Sequence, residues 1–205
     1  MIEQEYKFMM EQKVFQQVER EVLTQKGILT DNYHTNYYFD TEKKDLLRNG
    51  ITLRVRQTDN QLLLQYKRRI DSMEKFRVSE EICLPLKRIG SSILLPNELY
   101  PCESKKTECG KRGVVKCDLQ GTLTTWRRRY LMKCGLQIDL DRNYYLGMCD
   151  YEIEIEFPQK QEEEARKWIN RLGLKLTASS SKGKAERFFD QKDNISICEI
   201  GFREK

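Results

Sequence analysis

The sequence predicts a mainly β (α+β) fold: one closed antiparallel β-barrel with a polar, charge-lined interior, flanked by amphipathic helices, in a single domain over residues 1–205. Three observations predict it. Segment after segment reads as a strand whose every second residue is charged or polar. Charged residues make up 34% of the chain, above the roughly 25% usual for soluble proteins, so charge is expected somewhere besides the outer surface. Only two stretches carry a convincing helical period, and a chain of 205 residues is of a size at which all-β barrels form one domain.

Residues 2–8 read as the first strand. Residues 11–26 follow as an amphipathic helix, with Val14, Phe15, Val18, Val22 and Leu23 at helical spacing and Gly27 as its stop. Strands are predicted at Tyr37–Asp40, Gly50–Gln57, Gln61–Arg69 and Phe76–Leu84, with polar turns at Asp59-Asn60 and Arg69–Ser72. Ile93–Leu95 and Leu99 suggest a short helix, and the lysine-rich stretch Glu103–Lys116 a crossover between two halves of the barrel. Strands resume at Gly121–Lys133, Leu136–Asp141 and Met148–Phe157, the last ended by Pro158. Residues 160–172 form a second amphipathic helix on Ala165, Trp168, Ile169 and Leu172.

Residues i, i+2 and i+4 of a strand share a face. Glu3, Glu5 and Lys7 therefore lie opposite Ile2, Tyr6 and Phe8, and Arg54 and Arg56 opposite Leu53 and Val55. Lys67 joins Gln65; Arg77 joins Ser79; Arg127 joins Arg129; Asp139 joins Asp141; Glu152, Glu154 and Glu156 form one row. Solvated outer faces would be the simple explanation, but they tend to mix signs because like charges opposed across strands repel. Here the faces sort by sign, and a row of three glutamates is a poor choice for a strand. A closed barrel places these faces in its lumen, with the apolar faces outward under the helices. Carboxylates on one wall take hard divalent cations, and arginines and lysines on the other hold phosphate oxygens. Such a lumen suits a polyphosphate.

The remaining composition narrows the options. With 37 basic and 32 acidic residues, the net charge of +5 is spread over both signs, unlike the basic stripe of a nucleic-acid binder. The chain has no stretch of about 18 apolar residues to span a membrane, and Met1–Lys7 has no signal-peptide pattern. Seven cysteines without a C-x-x-C pair read as reduced thiols, and a cytoplasmic location is expected. Cys102, Cys109 and Cys117 fall together in the polar connection. His34 is expected at the surface or in a turn, and Trp126 and Trp168 as packing residues.

At this point the residues resemble the CYTH superfamily, the triphosphate tunnel metalloenzymes. The resemblance rests on Glu3-Gln4-Glu5-Tyr6-Lys7, an E-x-E-x-K strand, followed in order by Leu53–Arg56, Leu64–Lys67, Leu123–Arg128, Asp139–Asp141, Tyr145–Gly147 leading into Tyr151–Glu156, and Lys184–Phe188. It implies an eight-stranded antiparallel tunnel. It further implies Mg²⁺ or Mn²⁺ bound by Glu3, Glu5, Glu152 and Glu154 with Asp139 as an additional ligand, and a triphosphate held by Arg54, Arg56, Lys67, Arg127 and Lys184. Lys7 is similar to the family residue that helps activate water. Asp141, Glu156, Arg129 and Lys182 share the parity of family positions without matching them cleanly.

The expected activity is metal-dependent hydrolysis of inorganic tripolyphosphate or an organic triphosphate such as thiamine triphosphate, with a small-molecule substrate and no nucleic-acid or membrane partner. One alternative is a class IV adenylyl cyclase, which would need a purine pocket that the sequence does not mark. The other is a non-catalytic polyphosphate- or RNA-binding module, which the metal-binding carboxylates disfavour. The substrate, the metal and the choice between monomer and homodimer stay open at this level.

Overall fold

A computed structural model describes residues 2–24, 27–70, 76–100, 113–132, 135–158, 160–175 and 182–195. In chain order the elements are β1 (Ile2–Met10), α1 (Gln12–Leu23), β2 (Gly27–Asp40), α2 (Asp45–Arg48), β3 (Ile51–Gln57), β4 (Leu62–Ile70) and β5 (Arg77–Leu86). After them come β6 (Ser92–Pro96), a 3₁₀ turn (Asn97–Leu99), β7 (Val114–Met132), β8 (Gln137–Tyr145), β9 (Met148–Glu156), α3 (Glu162–Arg171) and α4 (Lys184–Asn194).

All strand pairings are antiparallel, in the order β2-β3-β4-β5-β1-β9-β8-β7-β6. The long pairing of β2 with β7, from Gly27↔Met132 to Asp40↔Asp118, closes eight of the nine strands into a barrel and leaves β6 as an extra strand on the first residues of β7. Closure matters for the site, because a closed sheet has an inside.

Outside the barrel, α1 and α3 cover the apolar faces of β1, β9 and β8. Phe15, Val18 and Val22 of α1 and Ala165 and Ile169 of α3 are buried against Tyr6, Ile138, Leu140, Ile153 and Ile155. A second cluster, around Phe39, Leu46, Leu53, Val55, Tyr66, Leu95 and Val115, packs the opposite side. The third cluster belongs to one end of the lumen. There α4 brings Ala185, Phe188 and Phe189 against Tyr38, Leu123 and Tyr145.

Several elements differ from the expectation. Ile93–Leu95 is strand β6 rather than helix, because its alternating face seats Leu95 in the second cluster. Strand β2 begins ten residues before Tyr37, since Gly27–Asn36 pairs along β7. His34 is consequently an interior residue, 4% exposed, and not a surface or turn residue. Cys117 is buried in β7 rather than in a loop, while Cys102, Cys109 and most of the Glu103–Lys116 connection lie outside the described residues. Helix α1 ends at Leu23, and β7 and β8 are longer than predicted. Trp126 packs on the outer face between the guanidinium groups of Arg128 and Arg142, at 4.8 and 4.3 Å from its ring.

Gly121 sits opposite the register shift at Tyr38/Phe39 with φ +145, and a Cβ there would lie 2.6 Å from Cζ of Phe188. Backbone and packing both call for glycine. Gly121→Ala is therefore expected to lower stability by about 1–3 kcal/mol through overpacking against α4, measured by urea unfolding monitored by circular dichroism.

Candidate functional site

The lumen collects the charged strand faces. Acidic side chains project from β1 (Glu3, Glu5), β8 (Asp139, Asp141) and β9 (Glu152, Glu154, Glu156); basic ones project from β3 (Arg54, Arg56), β4 (Lys67), β7 (Arg127, Arg129) and the first turn of α4 (Lys184). Register sets the contacts: Arg127 lies opposite Asp141, which in turn lies opposite Glu152, and Lys7 lies opposite Glu154. A cavity of about 330 Å³ runs through this region, lined among others by Glu3, Glu5, Lys7, Arg54, Arg56, Lys67, Arg77, Glu81, Arg127, Glu154 and Lys184.

Buried charges must be paired, and here most are. Arg127, 5% exposed, donates from Nε and Nη2 to the two oxygens of Asp141 at 2.7 and 2.6 Å, and from Nη2 to Glu154 at 2.6 Å, with Nη1 at 2.5 Å from Asp139. Arg129 grips Asp139 from Nε and Nη2, both at 2.8 Å. Lys184 contacts Asp141 at 2.8 Å and Glu154 at 2.9 Å and also donates to Glu152. Lys7 donates to Glu154 and lies 3.6 Å from Glu152 and 3.8 Å from Glu5. Lys67 donates to Glu3 at 2.7 Å. Arg54 donates to Gln65 at 2.9 Å and lies 3.7 Å from Glu81, whereas Arg56 donates from Nε to Asn36 Oδ1 at 3.0 Å.

All eleven residues predicted from the sequence thus border or fill one interior. The finer grouping differs from the predicted ligand set. Oxygens of Asp141, Glu152 and Glu154 lie within 4.8 Å of one another, as do those of Glu5, Glu154 and Glu156. Asp141 and Glu156, unplaced by the resemblance, belong to these groups, while Asp139 is occupied by Arg127 and Arg129. Lys182 is outside the lumen, paired with Asp190 at 2.5 Å on the exposed side of α4. The sequence placed Arg77 on the inward face with Ser79 and Arg187 in the Lys184–Phe188 motif without giving either a role, and it missed Glu81. Arg77 and Glu81 line the cavity, and Arg187 donates to Asp150 at 2.8 Å and lies 2.8 Å from Glu152.

The donor sets are carboxylate oxygens alone, which fits a hard divalent cation such as Mg²⁺ or Mn²⁺ better than a thiophilic one. Electrostatics follows the pairing. Burial would raise the Glu154 carboxyl, but Lys7 and Arg127 outweigh it and hold it well below the usual range. Burial also works against ionised Asp141, and Arg127 and Lys184 again overcome it. For Glu156 the balance runs the other way: burial, then Asp139 and Glu154, outweigh the attraction of Arg127 and push it up to about 8. Burial and the adjacent Arg54 and Arg127 bring Arg56 down to about 9.

A family model described as the CYTH domain matches residues 1–189. No curated protein matches the sequence. Among solved structures, an adenylyl cyclase candidate from Hippeastrum whose structure reveals a dominant triphosphatase activity superposes with a TM-score of 0.65 at 20% identity, over 92% of this chain and 95% of that one. An adenylate cyclase candidate from Bacillus halodurans gives 0.63 at 19%, over 90% and 96%. The triphosphatase of the Mimivirus capping enzyme gives 0.52 at 11%, over 84% and 89%. At these identities the likeness establishes a shared fold.

The state of Glu156 has a measurable consequence. Its carboxyl is raised in the folded protein from 4.5 to about 8, so the folded state keeps a proton that the unfolded state releases. The stability linked to that proton is full below about pH 4.5 and is lost as pH rises to about 8. Metal-free Glu156→Gln should match the wild type near pH 4.5 and exceed it by about 1–3 kcal/mol near pH 8, measured by urea unfolding across that range in a chelator.

Proposed function

The chain belongs to the CYTH family, and from that premise we propose that it is a divalent-metal-dependent triphosphatase that releases phosphate from a small triphosphate. The observation that carries this reading is the enclosed lumen, in which the carboxylates Glu5, Glu154 and Glu156 share one cavity with Arg54, Arg56, Lys67, Arg127 and Lys184, and Asp141 and Glu152 cluster with Glu154 as fully buried groups. Acidic walls alone would repel a polyanion, and basic walls alone would bind it without readying a nucleophile.

Phosphoryl transfer asks for positioning and charge stabilisation more than for covalent chemistry. Arg54 and Arg56, adjacent on one strand face, offer planar guanidinium groups to phosphate oxygens. Lys67 and Lys184 add point charges from β4 and from α4, and Arg127 binds the substrate where the basic wall meets the carboxylates. Glu3, Glu5, Glu152 and Glu154, together with Asp141 by its place in the cluster, are the oxygens that would hold Mg²⁺ or Mn²⁺; Asp139 would join them only on release from Arg127 and Arg129. When bound there, the cation supplies neutralisation of phosphate charge and a more acidic water. Lys7 stands among Glu5, Glu152 and Glu154, where its amine reaches the side of the lumen on which water would be readied.

The cyclase reading differs in its demand on the site. Cyclisation of ATP requires the ribose and base to be held so that the 3′-hydroxyl attacks in line, whereas the cavity is lined chiefly by charged side chains suited to phosphate.

Two measurements test the proposal. Glu5→Gln should lower Mg²⁺- or Mn²⁺-dependent turnover of tripolyphosphate by about 10- to 100-fold or more; full activity would remove Glu5 from the site. With wild-type protein, tripolyphosphate should be cleaved at least as well as ATP, and cyclic AMP as the dominant product with tripolyphosphate intact would establish the cyclase instead. Glu154→Gln serves a different purpose. Glu154 compensates Lys7, Lys184 and Arg127, so its removal should cost the metal-free protein about 3–5 kcal/mol. Relief of repulsion among the carboxylates does not outweigh that loss.

A further inference from the structure

The inward face of β2 takes no part in the ion network; its residues are not among those lining the cavity of about 330 Å³, whereas Arg54 and Arg56 on the neighbouring strand are. Three consecutive inward residues of that strand, His34, Asn36 and Tyr38, are 4%, 0% and 1% exposed, and each carries a buried polar atom without a hydrogen-bond partner among the described residues: His34 Nε2, Asn36 Nδ2 and Tyr38 Oη. An unsatisfied buried polar group costs about 1–3 kcal/mol, and three in a row at i, i+2 and i+4 on one face are too regular to be packing defects.

Their neighbours say what they await. Across the β2–β3 ladder, Asn36 is opposite Arg56 and Tyr38 is opposite Arg54. Asn36 Oδ1 accepts from Arg56 Nε at 3.0 Å, which fixes the amide so that Nδ2 is the atom left over. Among the described residues Arg56 has no carboxylate within ion-pair distance, in contrast to Arg127, Lys184, Lys7 and Lys67. Burial and four surrounding cations, Arg56, Arg127, Lys184 and Arg54, keep His34 neutral. A partly uncompensated guanidinium wall next to a row of neutral, unpaired groups suits an anion with several acceptor oxygens.

Resting on the triphosphatase reading, we propose that His34, Asn36 and Tyr38 form an uncharged hydrogen-bonding wall that binds phosphate oxygens beside Arg54 and Arg56. Neutral donors suit this place. They add bonds to the phosphate without repelling the arginines, and Asn36 does two jobs, aiming Arg56 through Oδ1 and donating to substrate through Nδ2.

Tyr38→Phe and Asn36→Asp provide the test, with tripolyphosphate as the probe. Titration calorimetry in a chelator and again with Mg²⁺ should show each variant binding roughly tenfold or more weakly than wild type. Asn36→Asp is expected to lose more, because it replaces the donor by a negative charge while keeping an acceptor for Arg56. In the absence of ligand, Tyr38→Phe should melt at or above the wild-type temperature, since the hydroxyl it removes has no partner; a merely structural tyrosine would move the other way. Binding by both variants within twofold of wild type in both conditions, or a lower melting temperature for ligand-free Tyr38→Phe, overturns the proposal. If wild-type protein binds tripolyphosphate and the variants bind it weakly, but no phosphate is released, the wall stands and the triphosphatase reading fails. If wild type hydrolyses tripolyphosphate while the variants bind like wild type, the wall fails alone.

Discussion

Everything in this barrel depends on compensating charge that has been taken out of water. Asp139, Asp141 and Glu152 have no exposed surface, and Glu5, Glu154, Arg127 and Lys184 have 5–6%. An isolated ion in such a place would cost many kcal/mol, so the fold can exist only if acidic and basic strands face each other at the right register. Arg127 is the hub, because one guanidinium reaches Asp139, Asp141 and Glu154 together. Its planar fork of donors makes that possible; a lysine offers a point charge without the fork. Lys184 performs the matching task from outside the sheet. Its position at the start of α4 means that the lumen's charge balance is complete only when α4 packs Phe188 and Phe189 into the barrel end.

The same arrangement explains how so highly charged an interior stays folded. Ionic networks of this kind add little net stability compared with a packed apolar core, but losing one member is costly. The stabilising apolar contacts lie elsewhere, in the two clusters on the outer face of the barrel and under α1 and α3. Scaffold and site are therefore separated by strand parity: one face of each strand holds the fold, and the other is free to carry chemistry.

That parity was also the part legible in the sequence. Alternation in Glu3–Lys7, Leu53–Arg56 and Tyr151–Glu156 displays both faces at once, so the barrel, its lumen and the charged rows that face it are legible in the sequence alone. What could not be read lacked this contrast. In β2 the run Gly27–Asn36 shows no alternation, since both faces are exposed through Tyr33, its apolar Ile28 and Leu29 are adjacent, and its inward residues beyond are neutral, and it passes for a loop. Helix α4 shows its apolar face only through Ala185, Phe188 and Phe189, too few positions to establish a period. Pairings are a matter of register rather than composition. Nothing local tells that Asp141 joins Glu152 and Glu154 while Asp139, two residues away, is taken by Arg127 and Arg129. Arg77 and Glu81 had the right parity, yet parity alone cannot tell which member of an inward row reaches the cavity.

The network is uneven, and the unevenness gives the lumen a direction. On the side of β1, β8 and β9, carboxylates and cations neutralise each other; a cation entering among Asp141, Glu152 and Glu154 must displace Lys184 from all three, and Lys7 from Glu154. On the side of β2 and β3, Arg56 has an amide oxygen for company and no carboxylate, and its charged form is weakened by burial. An anion placed there breaks no ion pair of the described residues and relieves a guanidinium that is poorly solvated. Its negative charge also offers a new partner to Lys184 and Lys7, which lowers the cost of releasing the carboxylates they hold. Under the proposed function, anion and divalent cation would be coupled through the same lysines, each making room for the other, and by linkage that coupling would be reciprocal.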